Sequence, residues 1–191
     1  MSKFIIAVLL LMSFFIAACN QTSAETDEMK QIIEDELGVS PYIPEGDSVC
    51  TMVLNYSPVL ADDGESEKGG SFKVEIEYKA STDEKVDEEM KEVWEERDPL
   101  REIIYGDLYM DPNTSKVTIF PDGAGEITDA EHLEIEGHEV QYQHIDRESG
   151  TVIMAMDFAD YSYMIEYYLI EGKTEEDAKA FAKDIIRNVE Q

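Results

Sequence analysis

The strongest periodicity lies at the C-terminus. In "KTEEDAKAFAKDIIRNVE" the apolar residues Ala178, Phe181, Ala182, Ile185, Ile186 and Val189 recur every three or four positions. That spacing puts them on one face of a helix over residues 175–189. Thr174 stands where an N-cap belongs, acids crowd the first turn, and Lys183 and Arg187 fall late, as the helix dipole favours. Upstream the period shortens to two. "EHLEIEGHEVQYQHID" reads as a β-hairpin turning at Glu136-Gly137. "TVIMAMDF" and "YSYMIEYYLI" read as a second, turning near Ala159-Asp160.

Met29, Ile32, Ile33 and Leu37 predict a helix over 26–37, started by Thr26 or Asp27 and closed by Gly38. Pro41 and Pro44 restrict their neighbours, so "VSPYIPEG" is irregular. Two strands follow. In 49–56, Cys50, Met52, Leu54 and Tyr56 share a face. In 72–78, Phe72, Val74, Ile76 and Tyr78 alternate with Lys73, Glu75 and Glu77, the pattern of an antiparallel sheet with one wet face. The acidic, Gly-rich stretch between them reads as a long mobile connection. A middle helix is predicted over 83–97, with Val86, Met90, Val93 and Trp94 on one side, Ser81-x-x-Glu84 as a capping box and Pro99 as its stop. "REIIYGDLYM" and "KVTIF" read as strands joined across "DPNTS". The order predicts an α+β fold: a curved antiparallel sheet of about six strands, with N-terminal, middle and C-terminal helices packed against one face.

The first residues break this pattern. Phe4 to Ala18 is a run of 15 residues with Ser13 as its sole polar member. A bilayer crossing takes about 20 apolar residues, whereas a signal-peptide h-region takes about 7–15. Lys3 supplies a positive n-region, and "IAAC" ends the run before the polar "NQTSAETDE". This stretch resembles the lipobox of bacterial lipoproteins: an aliphatic residue, two small ones, then cysteine. The resemblance implies a cut between Ala18 and Cys19, with the Cys19 thiol carrying a diacylglycerol. A plain secretory signal with an incidental cysteine is the competing reading. The expected organisation is a signal peptide at 1–18, a lipidated Cys19 with a polar tether at 19–25, and one domain over 26–191.

Composition narrows the function. The chain carries 44 acidic and 15 basic side chains, a formal charge of −29. Lys3 is the one charged side chain ahead of Cys19, so a cut there takes the charge from −29 to −30. Nucleic acid is disfavoured as a partner, because phosphate contacts need a basic face. Adsorption to anionic lipid is disfavoured in the same way, which leaves lipid on Cys19 as the link to a membrane. An acidic surface of this kind stays soluble in salt, which screens its self-repulsion. Hydrophobic residues make up 43% of the chain and are regularly patterned, so the charge does not signal disorder. With Cys19 lipidated, Cys50 has no partner for an internal disulfide. Its apolar surroundings in "SVCTMVLNY" predict a buried, unreactive thiol.

The pattern "EIEGHEVQYQHIDRESGTVIMAMDFADYSYMIEYYLIEGKTEEDAKAFAKDII", with the earlier "LGVSPYIPEG", resembles a domain of Gram-positive lipoproteins and membrane-tethered regulators with no assigned function. In that family a Gly-turn strand leads through a Tyr-containing strand to a terminal helix that begins at Ser or Thr. The resemblance implies a half-barrel sheet clasping helices, similar to lipoprotein carriers and envelope-stress sensors. Fold analogy alone gives no function.

Few residues are arranged for chemistry. His132, His138 and His144 recur at intervals of six, but Gly137 breaks the run, and a shared metal needs them to converge. "DPNTSKVTIFPD" spaces Asp111, Asn113 and Ser115 like a Ca²⁺ loop, with Lys116 where glycine belongs and Asp122 in the last ligand position. No nucleophile elbow, P-loop or zincin motif occurs, so no enzyme, cofactor or metal is expected. The last hairpin is richer, with Met154, Met156, Phe158 and four tyrosines. Tyr167 and Tyr168 are neighbours and point to opposite faces. One face then enters the core, and the other offers an aromatic strip. Tyr161, Tyr163, Tyr167 and Tyr168 are the candidate ligand or partner surface.

Two readings follow, both on the extracytoplasmic side of the cell membrane. One is recognition of an envelope protein or component by that surface. The other is carriage or sensing of a hydrophobic ligand held between sheet and helices, for which a hollow there is the structural sign. The anchor has a direct test. Cells fed labelled palmitate should label the wild-type protein, and Cys19→Ala should lose the label and either be released or stay uncleaved. A wild type that never takes up label would remove the anchor.

Overall fold

The structure, a computed structural model, describes residues 23–45, 47–60, 66–146 and 150–190. Cys19, Ala18 and the run before them lie outside the described residues. The described chain forms three helices and one open antiparallel sheet. In order they are α1 (Ser23–Leu37), β1 (Ser48–Leu60), β2 (Ser66–Lys79), α2 (Glu88–Arg97), β3 (Arg101–Gly106), β4 (Asn113–Phe120), β5 (Glu131–Ile135), β6 (His138–Ile145), β7 (Thr151–Asp157), β8 (Ser162–Tyr168) and α3 (Glu175–Val189). The sheet has eight strands, in the order β3-β1-β2-β4-β8-β7-β6-β5. The class is the α+β expected. The strand count exceeds the expected six or so, because each alternating run forms a strand of its own.

Both C-terminal hairpins form where the pattern puts them. Glu136 and Gly137 take φ of 53° and 86°, the left-handed pair that a tight two-residue turn needs, and His132 faces Gln141 across the strands. α3 starts at Thr174 in a capping box: the Thr174 hydroxyl accepts from the Asp177 amide, and the Asp177 carboxylate accepts from the Thr174 amide.

Other boundaries move. β1 and β2 continue through most of the stretch read as a loop, until Leu60 faces Ser66, because backbone pairing does not need apolar side chains. α1 starts at Ser23, so Thr26 and Asp27 lie inside it, and residues 23–25 are helix rather than tether. α2 has ten residues and starts from Asp87, whose carboxylate accepts from the Met90 amide. Ser81 and Glu84 do not cap it. Both donate to the Asp111 carboxylate, from a hydroxyl and an amide.

One face of the sheet is the core. Met29 and Ile33 of α1 and Ala178, Ala182, Ile185 and Ile186 of α3 are fully buried there, against Met52, Ile76, Val117, Met154 and Ile165 among others. Each large apolar side chain so buried is worth about 1.5–3 kcal/mol. The Pro-flanked segment closes the middle. Tyr78 donates to the Pro44 carbonyl at 3.1 Å, Tyr163 to the Tyr42 carbonyl at 2.7 Å, and Tyr42 to Asp184 at 2.8 Å. Packed side chains occupy the space between this face and the two helices.

α2 does not join them. From β2 the chain must pass β1 to reach β3. That connection carries α2 over the opposite face, where Glu77 points away from the buried Ile76 and Tyr78 and lines a groove together with α2. The expectation of three helices on one face fails for this reason. β3 and β4 are not sheet neighbours either, since β1 and β2 lie between them.

A bulge in β1 shifts the alternation read for Cys50. Val49 faces Tyr78 and Thr51 faces Glu77, so Cys50 falls between the paired positions. It is buried but stands outside the core cluster. Its thiol donates to the Ser48 carbonyl at 3.1 Å, and burial pushes its pKa up to about 11. Gly106 ends β3 opposite this bulge with φ 75°, and a Cβ there would strike the Cys50 carbonyl oxygen, the acceptor of the Asp107 amide. Gly106→Ala should cost about 1–3 kcal/mol through its left-handed backbone alone, and more through the clash. Urea unfolding followed by circular dichroism measures it.

Candidate functional site

The two passages of chain on either side of α2 and β3 build the site. The Val86 amide donates to the Leu108 carbonyl at 2.9 Å and the Met110 amide to the Glu84 carbonyl at 2.8 Å, with Lys85 opposite Tyr109 in an antiparallel bridge. The Asp111 carboxylate ties Ser81 and Glu84 to this short ribbon, and Lys85 pairs with Asp107 at 2.7 Å. α2 lies beside the ribbon. Between them is a groove of about 760 Å³, lined by Met90, Val93 and Trp94 of α2 on one side and Val86, Leu108, Tyr109 and Met110 of the ribbon on the other. Small-molecule sites commonly span about 300–1,000 Å³.

The apolar stripe read along α2 therefore exists but faces this groove, not the core. Met90 is 52% exposed, Val93 45% and Met110 62%. They are three of the six large apolar side chains exposed among the described residues, so half of these gather at one groove.

Trp94 is held in place by an ion cluster shared by β2 and β3. Arg101 sits over its ring at 4.9 Å and meets one Glu75 oxygen at 3.0 Å, while Lys73 meets the other at 2.6 Å. Burial pulls the Glu75 carboxyl upward. The Lys73 hydrogen bond and the charges of Lys73, Lys116 and Arg101 outweigh it and hold the group below the usual carboxylate range. Here the wet face expected of β2 holds a buried carboxylate, Glu75, between two partly buried cations, Lys73 and Arg101. The groove lining also includes Glu77, Asp87, Glu89, Arg97 and Asp98.

The tyrosines of the last hairpin do not form a common surface. Tyr163 is fully buried and Tyr167 nearly so, because that side of β8 lies against the core, with Tyr167 5.8 Å from the Phe181 ring of α3. Tyr161 packs at the hairpin end against Tyr163 and Phe158. Tyr168 points to the other face and donates to Glu166 at 3.1 Å. The histidines disperse as well. His132 pairs with Glu139, His138 with Glu190 while stacking on Phe158, and His144 with Glu175. Among the described residues, no group of three side chains is placed to hold a metal. Asp111 and Asn113 are engaged by Ser81, Glu84 and Lys79, so the Ca²⁺-loop spacing serves internal hydrogen bonds instead.

In comparisons with known proteins, no family model matches the chain, and no curated protein or solved structure matches it.

The ion cluster carries a pH prediction. A carboxyl depressed in the folded state contributes stability that is present above its unfolded pKa, near 4.3 for glutamate. That stability is lost as pH falls through the lowered folded value. Glu75→Gln should cost about 1–3 kcal/mol at neutral pH and should flatten the loss of stability below about pH 4. Thermal unfolding of both proteins across the acid range reads both effects.

Proposed function

We propose that this protein is a lipid-anchored, extracytoplasmic, non-enzymatic binding module that takes a hydrophobic ligand in the groove beside α2. The groove carries the reading: an apolar cleft of about 760 Å³ into which Met90, Val93 and Met110 present exposed side chains. Apolar surface left in water is unfavourable, and a ligand that covers it recovers that free energy. Methionine, flexible and polarizable, suits a lining that adapts to its ligand. The ligand site between sheet and helices thus lies on the side of α2, because packed side chains occupy the side of α1 and α3. Surface recognition through Tyr161, Tyr163, Tyr167 and Tyr168 has less support, since two of them are core.

The address rests on the N-terminal sequence. "IAAC" resembles a lipobox, which implies removal of the signal peptide and lipid on Cys19. The strongly acidic chain leaves that lipid as its means of holding a membrane. Among the described residues no helix is long and apolar enough to cross a bilayer.

Trp94 is the single tryptophan of the chain and lines the groove, so its emission reports occupancy. Dodecyl maltoside, a neutral amphiphile, should shift that emission to shorter wavelength below its micelle concentration, and Met90→Glu should abolish the shift. If no apolar probe of any charge moves Trp94 emission, the groove does not bind hydrophobic ligands.

A further inference from the structure

We infer that the α2 groove selects amphiphiles whose apolar chain carries a cationic head. This rests on the groove reading above and adds the charge of the ligand. The lining includes four carboxylates, Glu77, Asp87, Glu89 and Asp98, against one guanidinium, Arg97. Nearby bases offset only part of this excess. Arg101 is committed to Glu75 at 3.0 Å and stands 4.0 Å from Asp98, and Lys85 is committed to Asp107 at 2.7 Å. Lys79 is buried 3.9 Å from Glu77 and offsets part of its charge, while its hydrogen bonds go to the Asp111 carbonyl at 2.6 Å and to Asn113 at 2.5 Å. Asp87 uses one oxygen to cap α2 at Met90 and keeps its charge.

An apolar lining with a negative excess is complementary to an apolar chain with a positive head. An anionic amphiphile would set its charge against these carboxylates and against a chain of formal charge −29. A second copy of the protein would bring the same charge, so it is a poor occupant. The volume of about 760 Å³ suits one small amphiphile rather than a macromolecular surface.

The test uses Trp94 emission and three amphiphiles of one chain length, each below its micelle concentration: dodecyltrimethylammonium, dodecyl maltoside and dodecyl sulfate. The cation should bind about tenfold tighter than the neutral compound, the scale expected of a few solvent-screened charges. The sulfate should give no shift. Raising the salt should narrow the gap, and Glu77→Gln with Glu89→Gln should narrow it by weakening the cation more than the neutral compound. Met90→Glu makes the protein more acidic yet spoils the apolar lining. Loss of cation binding in that variant separates the groove from general attraction to an acidic surface, and retained binding overturns the proposal. Circular dichroism establishes that each variant folds. Equal affinity for cation and neutral compound overturns the charge selectivity alone, whereas no response to any of the three overturns the groove reading with it. A cationic amphipathic peptide that binds where dodecyltrimethylammonium does not, or a dimer dispersed by Met90→Glu, would put a protein in the groove and overturn the proposal.

Discussion

A sheet with one apolar face can be covered only once, and here α1 and α3 cover it. Their buried residues meet the inward side chains of β1, β2, β4, β6, β7 and β8 in a single cluster. With that face occupied, α2 has no core to enter. The passage from β2 past β1 to β3 takes it to the outer face, where none of its residues is buried. It is fixed there by its Asp87 cap, by the ribbon of residues 84–86 and 108–110, and by Arg101 against Trp94. An apolar stripe left against a polar face encloses a groove instead of closing a core. The candidate site is in this sense a consequence of how the core is filled.

The same outer face explains the charge of the groove. Glu75 is buried and would be costly there unless paired, and Lys73 and Arg101 pair it from two sides. Lys116 meets Glu166 further along the sheet, and Lys79 is tied to Asp111 and Asn113. In a chain with 15 basic against 44 acidic side chains, bases held in such internal pairs are unavailable to the surface. The groove is left with Arg97 as its one lining base. The proposed ligand selectivity and the packing of β2 therefore draw on one limited supply of positive charge.

What was legible in the sequence was local. The Glu136-Gly137 hairpin and the Thr174-capped helix depend on neighbours a few residues apart, and both form as read. The α2 stripe was legible as a stripe, but its facing was not, because that depends on which helices reach the core face first. The shared face read for Cys50, Met52, Leu54 and Tyr56 failed on one inserted residue, although Cys50 is buried as read: the bulge after Val49 changes every parity argument across it. Ser81-x-x-Glu84 and the Asp111 loop were each assigned to separate tasks, a cap and a cation site. In the fold they satisfy each other across 27 positions or more, a pairing no local pattern announces. The tyrosines of β8 were read correctly as two-sided, but the inward side took two of the four proposed for binding.

Under the proposed anchor, geometry adds a constraint on the ligand. Three residues separate Cys19 from the start of α1 at Ser23, and covalent reach limits that span to about 14 Å. Tyr105 of β3 is raised above the usual phenol range by burial first and then by the charges of Glu25 and Glu28 in α1. β3 begins at Arg101, the residue that holds Trp94. With so short a span, the proposed lipid on Cys19 would keep the domain, and with it the groove, near the bilayer surface. Tethering of this kind raises the effective concentration of anything partitioned into that surface. Anionic headgroups repel so acidic a domain. Among membrane-soluble molecules, a cation-headed amphiphile is the kind drawn toward both the bilayer and the groove, so the proposed attachment and the proposed selectivity would reinforce each other.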